Sequence, residues 1–414
     1  MQARPILVVG GGITGVCAAE WLRRDGWSVT LVDRVSPGDP DQTSYGNAGL
    51  LANTSVLPVS MPGLLAKAPG MLLDPDSPLF LRWRYLPRLL PWLVPYLRNG
   101  NVDKVMEIAA SLSSLTHDAV EQHQNLAKGT PAADFIETGE LVELYRSRAD
   151  FDANRLGNSI REKYGLVPGH LDREQLVERD PHLGPSYTFG AVFKDFAWIS
   201  SPGSYVAALF DHFLAQGGRF KRAEVVDIRA GMKPSLTLPE GEVLQGEKII
   251  LCAGAWSAKL SRKLGVSVKL EAERGYHVSM HNPNFSAPQP YVITDAKFVV
   301  TPMAGALRAA GVVEFGGSDA PAAKAPTDLL TRHMRRVYPG LQFEYQKVWM
   351  GRRPTTPDSL PVVGESVNAP NVVHAYGGQH VGLTIGPKIA RMVADLASRR
   401  QTNVDLEPYR VDRF

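Results

Sequence analysis

The stretch Pro5-Ile6-Leu7-Val8-Val9-Gly10-Gly11-Gly12-Ile13-Thr14-Gly15 decides how the rest of this chain is read. A run of strand length enters a glycine turn, and Val16-Cys17-Ala18-Ala19-Glu20-Trp21-Leu22 follows with helical spacing. Ser28-Val29-Thr30-Leu31-Val32 reads as a second strand ending at Asp33. Strand, G-x-G-x-x-G turn, helix and an acid about twenty residues on form a dinucleotide-binding unit. Gly10 permits the tight turn, Gly12 lets a pyrophosphate approach the backbone, and Gly15 lets helix and strand pack closely. The helix start at Ile13 and Thr14 turns free N–H groups and a positive dipole end toward phosphates. Asp33 is placed to accept from the adenosine ribose hydroxyls. The unit implies an adenine dinucleotide and leaves FAD and NAD both open.

At 414 residues the chain suits two domains rather than one core. A hydrophobic content of 44% and a charged content of 21% are those of an ordinary globular protein. The net charge of +3 gives no footprint for nucleic acid. Cys17 and Cys252 cannot form a disulfide framework and read as core residues in a reducing compartment. No Cys/His cluster points to a metal, and no run is apolar and long enough to cross a membrane. A cytoplasmic protein is expected, with one segment (79–97) as a candidate for peripheral contact with the inner membrane.

That segment lies in a stretch broken by Pro58, Pro62, Pro69, Pro75 and Pro78. Between Leu86 and Leu97, Pro87, Pro91 and Pro95 recur every fourth residue, which argues against regular helix. Its Leu, Trp and Tyr residues, beside Arg82, Arg84, Arg88 and Arg98, suit either a lipid surface or the cover of a neighbouring domain. Residues 102–128 carry an apolar stripe (Val105, Ile108, Leu112, Leu115, Ala119) and read as a helix of a second domain. A helix is expected from Phe151 to Tyr164, and another opens at Ser200-Ser201-Pro202 and stops at Gly217-Gly218. Strands are expected at Val225–Ile228, near Val226, and at Lys248–Cys252, which ends in Ala253-Gly254-Ala255-Trp256-Ser257. Residues 268–349 are strand-rich and read as an antiparallel sheet whose inner face is a candidate substrate cavity. Gly351–Pro361 reads as a rigid proline-rich loop. Asn371–Tyr376 is a strand that enters Gly377-Gly378-Gln379-His380-Val381-Gly382-Leu383-Thr384, with a helix from about Ile385 to Ala397. This second glycine-bearing strand–loop–helix unit favours FAD, because a helix start can stabilise the charge that reduced flavin develops at its pyrimidine edge.

Five motifs in this order resemble the FAD-dependent D-amino-acid oxidase/dehydrogenase superfamily, most closely its bacterial D-amino-acid dehydrogenases. They are Gly10–Gly15 with Asp33; Thr43-Ser44-Tyr45-Gly46-Asn47-Ala48-Gly49; Ala253–Ser257; Gly351-Arg352-Arg353-Pro354-Thr355-Thr356-Pro357-Asp358; and Gly378–Thr384. The resemblance implies a mixed α/β fold: a glutathione-reductase-like Rossmann FAD-binding domain with a discontinuous substrate domain built on an antiparallel sheet. The expected division is 1–55, 196–267 and 350–414 for FAD, and 56–195 and 268–349 for substrate. The expected FAD contacts are Gly10, Gly12, Ile13, Thr14, Gly15, Asp33, Arg34, Thr43, Ser44, Asn47, Ala48, Gly49, Leu50, Val226, Ala253, Gly254, Trp256, Gly351, Arg353, Gly378, Gln379, His380, Val381, Gly382, Leu383 and Thr384. One departure stands out: relatives often carry histidine–glycine where this chain has Gly378-Gln379.

The implied reaction is oxidative deamination of a D-amino acid, or of an imino acid of the D-proline or D-hydroxyproline type, by hydride transfer from Cα to flavin N5. A quinone or other acceptor then takes the electrons. A planar guanidinium matches a carboxylate. Arg353 is the first choice of clamp because it precedes Pro354 in the motif that, by resemblance, carries the family's substrate arginine, and Arg308, on a strand of the cavity wall, is the second. Tyr291 and Tyr276 are candidate hydroxyl donors to that carboxylate, Arg274 and His277 flank a bend at Gly275, and His380 is a candidate for tuning flavin or substrate. Two alternatives stay open: an oxygen-using oxidase of the glycine or sarcosine oxidase type, and a non-catalytic FAD-bound subunit. The oligomeric state is left open.

Overall fold

A computed structural model describes residues 4–414, apart from the side chains at 65, 67, 69 and 73. The opening unit forms as its pattern requires: strand β1 (Pro5–Val9), helix α1 (Ile13–Arg24) and strand β2 (Ser28–Asp33). The chain then leaves through helix α2 (Leu64–Leu73), strand β3 (Leu79–Leu81) and helices α3 (Leu86–Arg98), α4 (Val102–Thr116) and α5 (Ala119–Ala127). Strand β4 (Ile136–Tyr145), helices α6 (Arg148–Ala153) and α7 (Arg155–Lys163), strand β5 (Gly169–Leu171), helix α8 (Arg173–Arg179) and strand β6 (Phe189–Ile199) complete this excursion. It returns with α9 (Pro202–Ala215), β7 (Arg219–Arg222), a small meander of β8 (Asp227–Arg229), β9 (Ser235–Thr237) and β10 (Val243–Gln245), then β11 (Lys248–Leu251) and α10 (Ser257–Lys263). A second excursion holds β12 (Glu271–His281), β13 (Tyr291–Ile293), β14 (Phe298–Met303), β15 (Ala306–Phe315), α11 (Ala325–Val337) and β16 (Tyr345–Thr355). Strands β17 (Val362–Ser366) and β18 (Ala369–Tyr376) and helix α12 (Gly382–Ala397) close the fold.

Two sheets organise these elements. The first runs β17-β18-β11-β1-β2-β7, with every neighbour parallel except the β17 edge. Its apolar strands are packed between helices, α1, α9 and α12 lying in one core with Ile6, Val8 and Leu31. The second sheet has nine strands in the order β16-β12-β15-β14-β13-β4-β6-β5, with β3 beside β15. It is antiparallel except where β13 meets β4 and β3 meets β15.

Several local expectations are corrected. Prolines do not keep residues 86–98 out of a helix. Pro87 sits in the first turn of α3, where no N–H is needed, and Pro91 and Pro95 follow one turn apart. Their missing bonds therefore line one face, and water can serve the freed carbonyls there. The opposite face buries Leu89, Trp92 and Tyr96, each worth roughly 1.5–3 kcal/mol. Trp92 also donates its indole N–H to the Thr355 carbonyl at 2.9 Å. The stripe at 102–128 spans two helices, and Ile108, Leu112 and Leu115 belong to the core under the parallel sheet. The expected helix from Phe151 to Tyr164 is broken at Asn154 into α6 and α7. Finally, Gly351–Thr355 is strand rather than loop. Strand β16 is a sheet edge, the position where Pro354 costs no ladder hydrogen bond.

Candidate cofactor and substrate site

The C-terminal ends of β1, β2, β11 and β18 open into a cavity of about 260 Å³. At its floor Gly10 has φ +104°, and a Cβ there would stand 2.4 Å from the Cys252 carbonyl oxygen. A Cβ on Gly15 would lie 1.8 Å from the Gly10 carbonyl oxygen, so helix and turn meet backbone to backbone. Gly12 cannot cap α1 with a side chain. Ser44 does so from thirty-one residues away, its Oγ accepting the Ile13 N–H at 2.9 Å. That bond draws the 43–50 loop to the helix start, where Thr43, Ser44 and Asn47 join Gly12, Ile13 and Thr14 along the cavity. Asp33 is held by backbone: Oδ2 accepts the Gly11 N–H at 2.5 Å and Oδ1 the Val35 N–H at 3.0 Å. Gln42, which the sequence did not single out, reaches Oδ2 with its Nε2 at 3.4 Å.

Further along, Val226, Ala253, Gly254 and Trp256 line the wall, and the Arg34 guanidinium lies 4.6 Å from the Trp256 ring centroid. The far end is closed by Gly378, Gln379, Gly382 and Leu383 at the start of α12. Gln379 is the informative residue there. It is 5% exposed, and neither its Oε1 nor its Nε2 has a hydrogen-bond partner among the described residues. Its backbone is left-handed at φ +50°, a conformation that favours glycine. A buried amide without partners costs about 1–3 kcal/mol, so a polar group in the cavity is its natural complement. Two helix starts facing one elongated cavity, with an acid at one end and an orphaned amide at the other, fit FAD. The pyrophosphate would be held at Gly10–Thr14, the ribose at Asp33 and the ring system near Gln379 and Gly382.

Other expected contacts are committed to the protein itself. Thr384 Oγ1 donates to the Leu50 carbonyl at 3.0 Å and accepts the Ala52 N–H at 3.2 Å, tying loop to helix. Val381 is core, Gly49 takes φ +84° and donates its N–H to Asn47 Oδ1, and Ala48 accepts from the Thr301 hydroxyl. Buried His123, not foreseen, donates Nε2–H to the Leu383 carbonyl at 3.0 Å while Nδ1 accepts from Tyr205 at 2.8 Å. Burial holds His123 down to about 4, so it stays neutral and fixes the start of α12.

The substrate candidates divide by sheet face. Along β12, Glu271, Glu273, Gly275, His277, Ser279 and His281 alternate with Ala272, Arg274, Tyr276, Val278 and Met280. Arg353, on β16, shares the first face. Its Nη1 donates to Glu273 Oε1 at 2.8 Å and to the Val312 carbonyl at 3.3 Å. Nε and Nη2 make no hydrogen bond among the described residues. His380 keeps its side chain accessible while protein packs around it. Burial lowers its pKa, with Glu273 opposing and Arg353 reinforcing the shift, which places the three groups together. Pro354, next to Arg353, lines the cofactor cavity, whereas Gly351 pairs with Gly275 in the sheet.

Arg308, Tyr276 and Tyr291 are not part of this group. Arg308 donates Nη1 to the carbonyls of Asn47 at 2.7 Å and Tyr45 at 3.3 Å, bracing the loop from the sheet side. Tyr276 faces the other side of β12, where it donates to Glu314 and lies near Arg274, whose Nη1 is 3.2 Å from the same carboxylate. Tyr291 is fully buried in the core under α11 and accepts from Gln289 at 2.8 Å. Sequence alternation alone does not say which face is inward, and Glu273 escaped notice for the same reason.

Comparison with known proteins agrees with this geometry. A family model described as FAD dependent oxidoreductase matches residues 5–396. A protein of Bradyrhizobium diazoefficiens named D-amino-acid oxidase is 36% identical over 100% of this chain and 99% of its own length. Another from that organism, named D-amino acid dehydrogenase, is 28% identical over 99% of this chain and 98% of its own. Among solved structures, glycine oxidase from Geobacillus kaustophilus matches with a TM-score of 0.73 at 19% identity, covering 100% of both chains. L-proline dehydrogenase from P. horikoshii matches with a TM-score of 0.72 at 15% identity, covering 100% of this chain and 98% of its own. The chain belongs to the FAD-dependent oxidoreductase family, and its cofactor is FAD.

Proposed function

We propose that this oxidoreductase deaminates D-amino acids, with Arg353 as the carboxylate clamp. The observation that carries the reading is the uncommitted Nε/Nη2 edge of Arg353, near His380 and one residue from Pro354, which lines the cofactor cavity. Glu273 holds the guanidinium through Nη1, which leaves the other edge for two carboxylate oxygens. Desolvation lowers the His380 pKa, which favours its uncharged form beside the guanidinium. Bound FAD supplies a two-electron acceptor for the hydride on Cα. The chain's own task is orientation: a fixed carboxylate sets which face and which hydrogen of Cα meets the cofactor. The names of the full-length relatives support D-amino acids as the substrate class. Replacing Arg353 by Ala, in protein that retains FAD, raises KM for D-amino acids by about 10- to 100-fold, the range for a lost charge-assisted pair. An unchanged KM overturns the assignment.

For the acceptor, the 36%-identical relative named an oxidase favours oxygen, whereas relatives named dehydrogenases support a quinone. Peroxide yield measured against quinone reduction separates the two. Among the described residues no helix is long and apolar enough to cross a membrane. Helix α3 turns Leu90 and Val94 outward, at 46% and 42% exposure, and Trp83 just before it is 63% exposed. We assign any peripheral membrane contact to these residues. A liposome flotation assay in which Trp83→Ser and Leu90→Ser bind as wild type removes that assignment.

A further inference from the structure

A second cavity, of about 140 Å³, lies between the antiparallel sheet and the start of α9. Its chemistry is one-sided. Arg308, Lys347, His277 and His281 line it with Ser200 and Ser201, and no Asp or Glu is among its lining residues. Arg308 meets neutral acceptors, with Nε on Ser279 Oγ at 3.2 Å and Nη1 on two backbone carbonyls. Its Nη2 makes no hydrogen bond among the described residues. Lys347 has the Tyr345 ring at 5.7 Å and no ion pair among the described residues. Burial lowers Arg308 to about 10, and burial with Lys347 and Arg308 beside it lowers His281, so the chain itself does not compensate these cations. Helix α9 begins at the same wall. Ser201 is its N-cap without a side-chain capping bond and Pro202 has no N–H, so the N–H groups of Gly203 and Ser204 add the partial positive charge.

We propose that this cavity binds an oxyanion of phosphate or sulfate size. The free Nη2 of Arg308 supplies guanidinium donors, Lys347 an ammonium point charge, and the helix start further N–H donors, while the Ser200 and Ser201 hydroxyls already donate to the Phe135 carbonyl and the Ser204 hydroxyl. The site is separate from the cofactor cavity but coupled to it. Arg308 braces the carbonyls of Tyr45 and Asn47, and the same loop carries Ser44, the cap of α1. An anion on Arg308 therefore firms the loop that faces FAD. The inference does not depend on the substrate proposed above.

The test is calorimetric titration of FAD-saturated protein with inorganic phosphate at constant ionic strength, chloride serving as the replaced salt. Saturable one-site binding is expected. Lys347→Gln and His281→Gln, which leave Arg308 and the loop untouched, each weaken it threefold or more, and Lys233→Gln on the exposed surface leaves it unchanged. Absence of saturable binding to the wild type, or wild-type affinity in both cavity variants, overturns the proposal.

Discussion

Replacing Gln379 by Gly separates what this residue costs the apoprotein from what it gives the holoprotein. The left-handed backbone at φ +50° costs a non-glycine residue about 1–2 kcal/mol. The unpartnered buried amide adds about 1–3 kcal/mol. Glycine removes both, at the loss of some apolar burial by the side-chain stem, so the apoprotein should gain about 1–2 kcal/mol. With FAD bound, the amide in this reading makes at least one hydrogen bond worth about 0.5–1.5 kcal/mol, so the variant should bind FAD about three- to tenfold more weakly. Urea unfolding of the apoprotein and flavin-fluorescence titration read the two effects independently. Opposite signs are expected: more stable without cofactor, weaker with it. An apoprotein no more stable than wild type, with unchanged FAD affinity, would falsify the reasoning.

Further outcomes follow from the same geometry. Acid should destabilise the fold early, because burial holds His123 and His374 to about 4 and His277 to about 3, against 6.5 when exposed. The unfolded chain takes up these protons first, so their contribution is intact above pH 6.5 and is lost as pH falls toward 4. Three such groups give a slope approaching 4 kcal/mol per pH unit, and a flat urea midpoint from pH 7 to 5 contradicts this. Tyr276→Phe should leave KM for the amino acid unchanged, since its hydroxyl serves Glu314 on the far face of β12; a tenfold rise restores it as a substrate residue. Glu273→Gln should raise KM by loosening Arg353, and steady-state kinetics with the flavin content checked reads it. Pro91→Ala should stabilise the protein by about 1–3 kcal/mol through a restored helix bond in α3, measured by urea denaturation.

The two glycine units at the ends of the chain were legible because their signals are local: a strand, a turn and a helix within about thirty residues. The proline helix was not, since the penalty for each proline says nothing of the phase. Spacing by four gathers all the lost bonds on the wet face. Arg353 was legible through its motif, but its partner Glu273 was not, because the pairing is set by the β12–β16 register across 80 residues. Tyr276 and Glu273 lie three apart on one strand and face opposite sides, a distinction that alternation reports only once one face is known. Ser44 capping α1 and His123 holding Leu383 are contacts between distant segments, and no local pattern announces them.

The most direct test of the central claim is anaerobic bleaching of the bound flavin by paired D- and L-amino acids, with D-proline and its hydroxylated forms included. The account predicts rapid bleaching by members of the D series, slow or absent bleaching by their L counterparts, and a strongly raised half-saturation concentration in Arg353→Ala. Flavin that dithionite reduces but no D-amino or imino acid bleaches contradicts it.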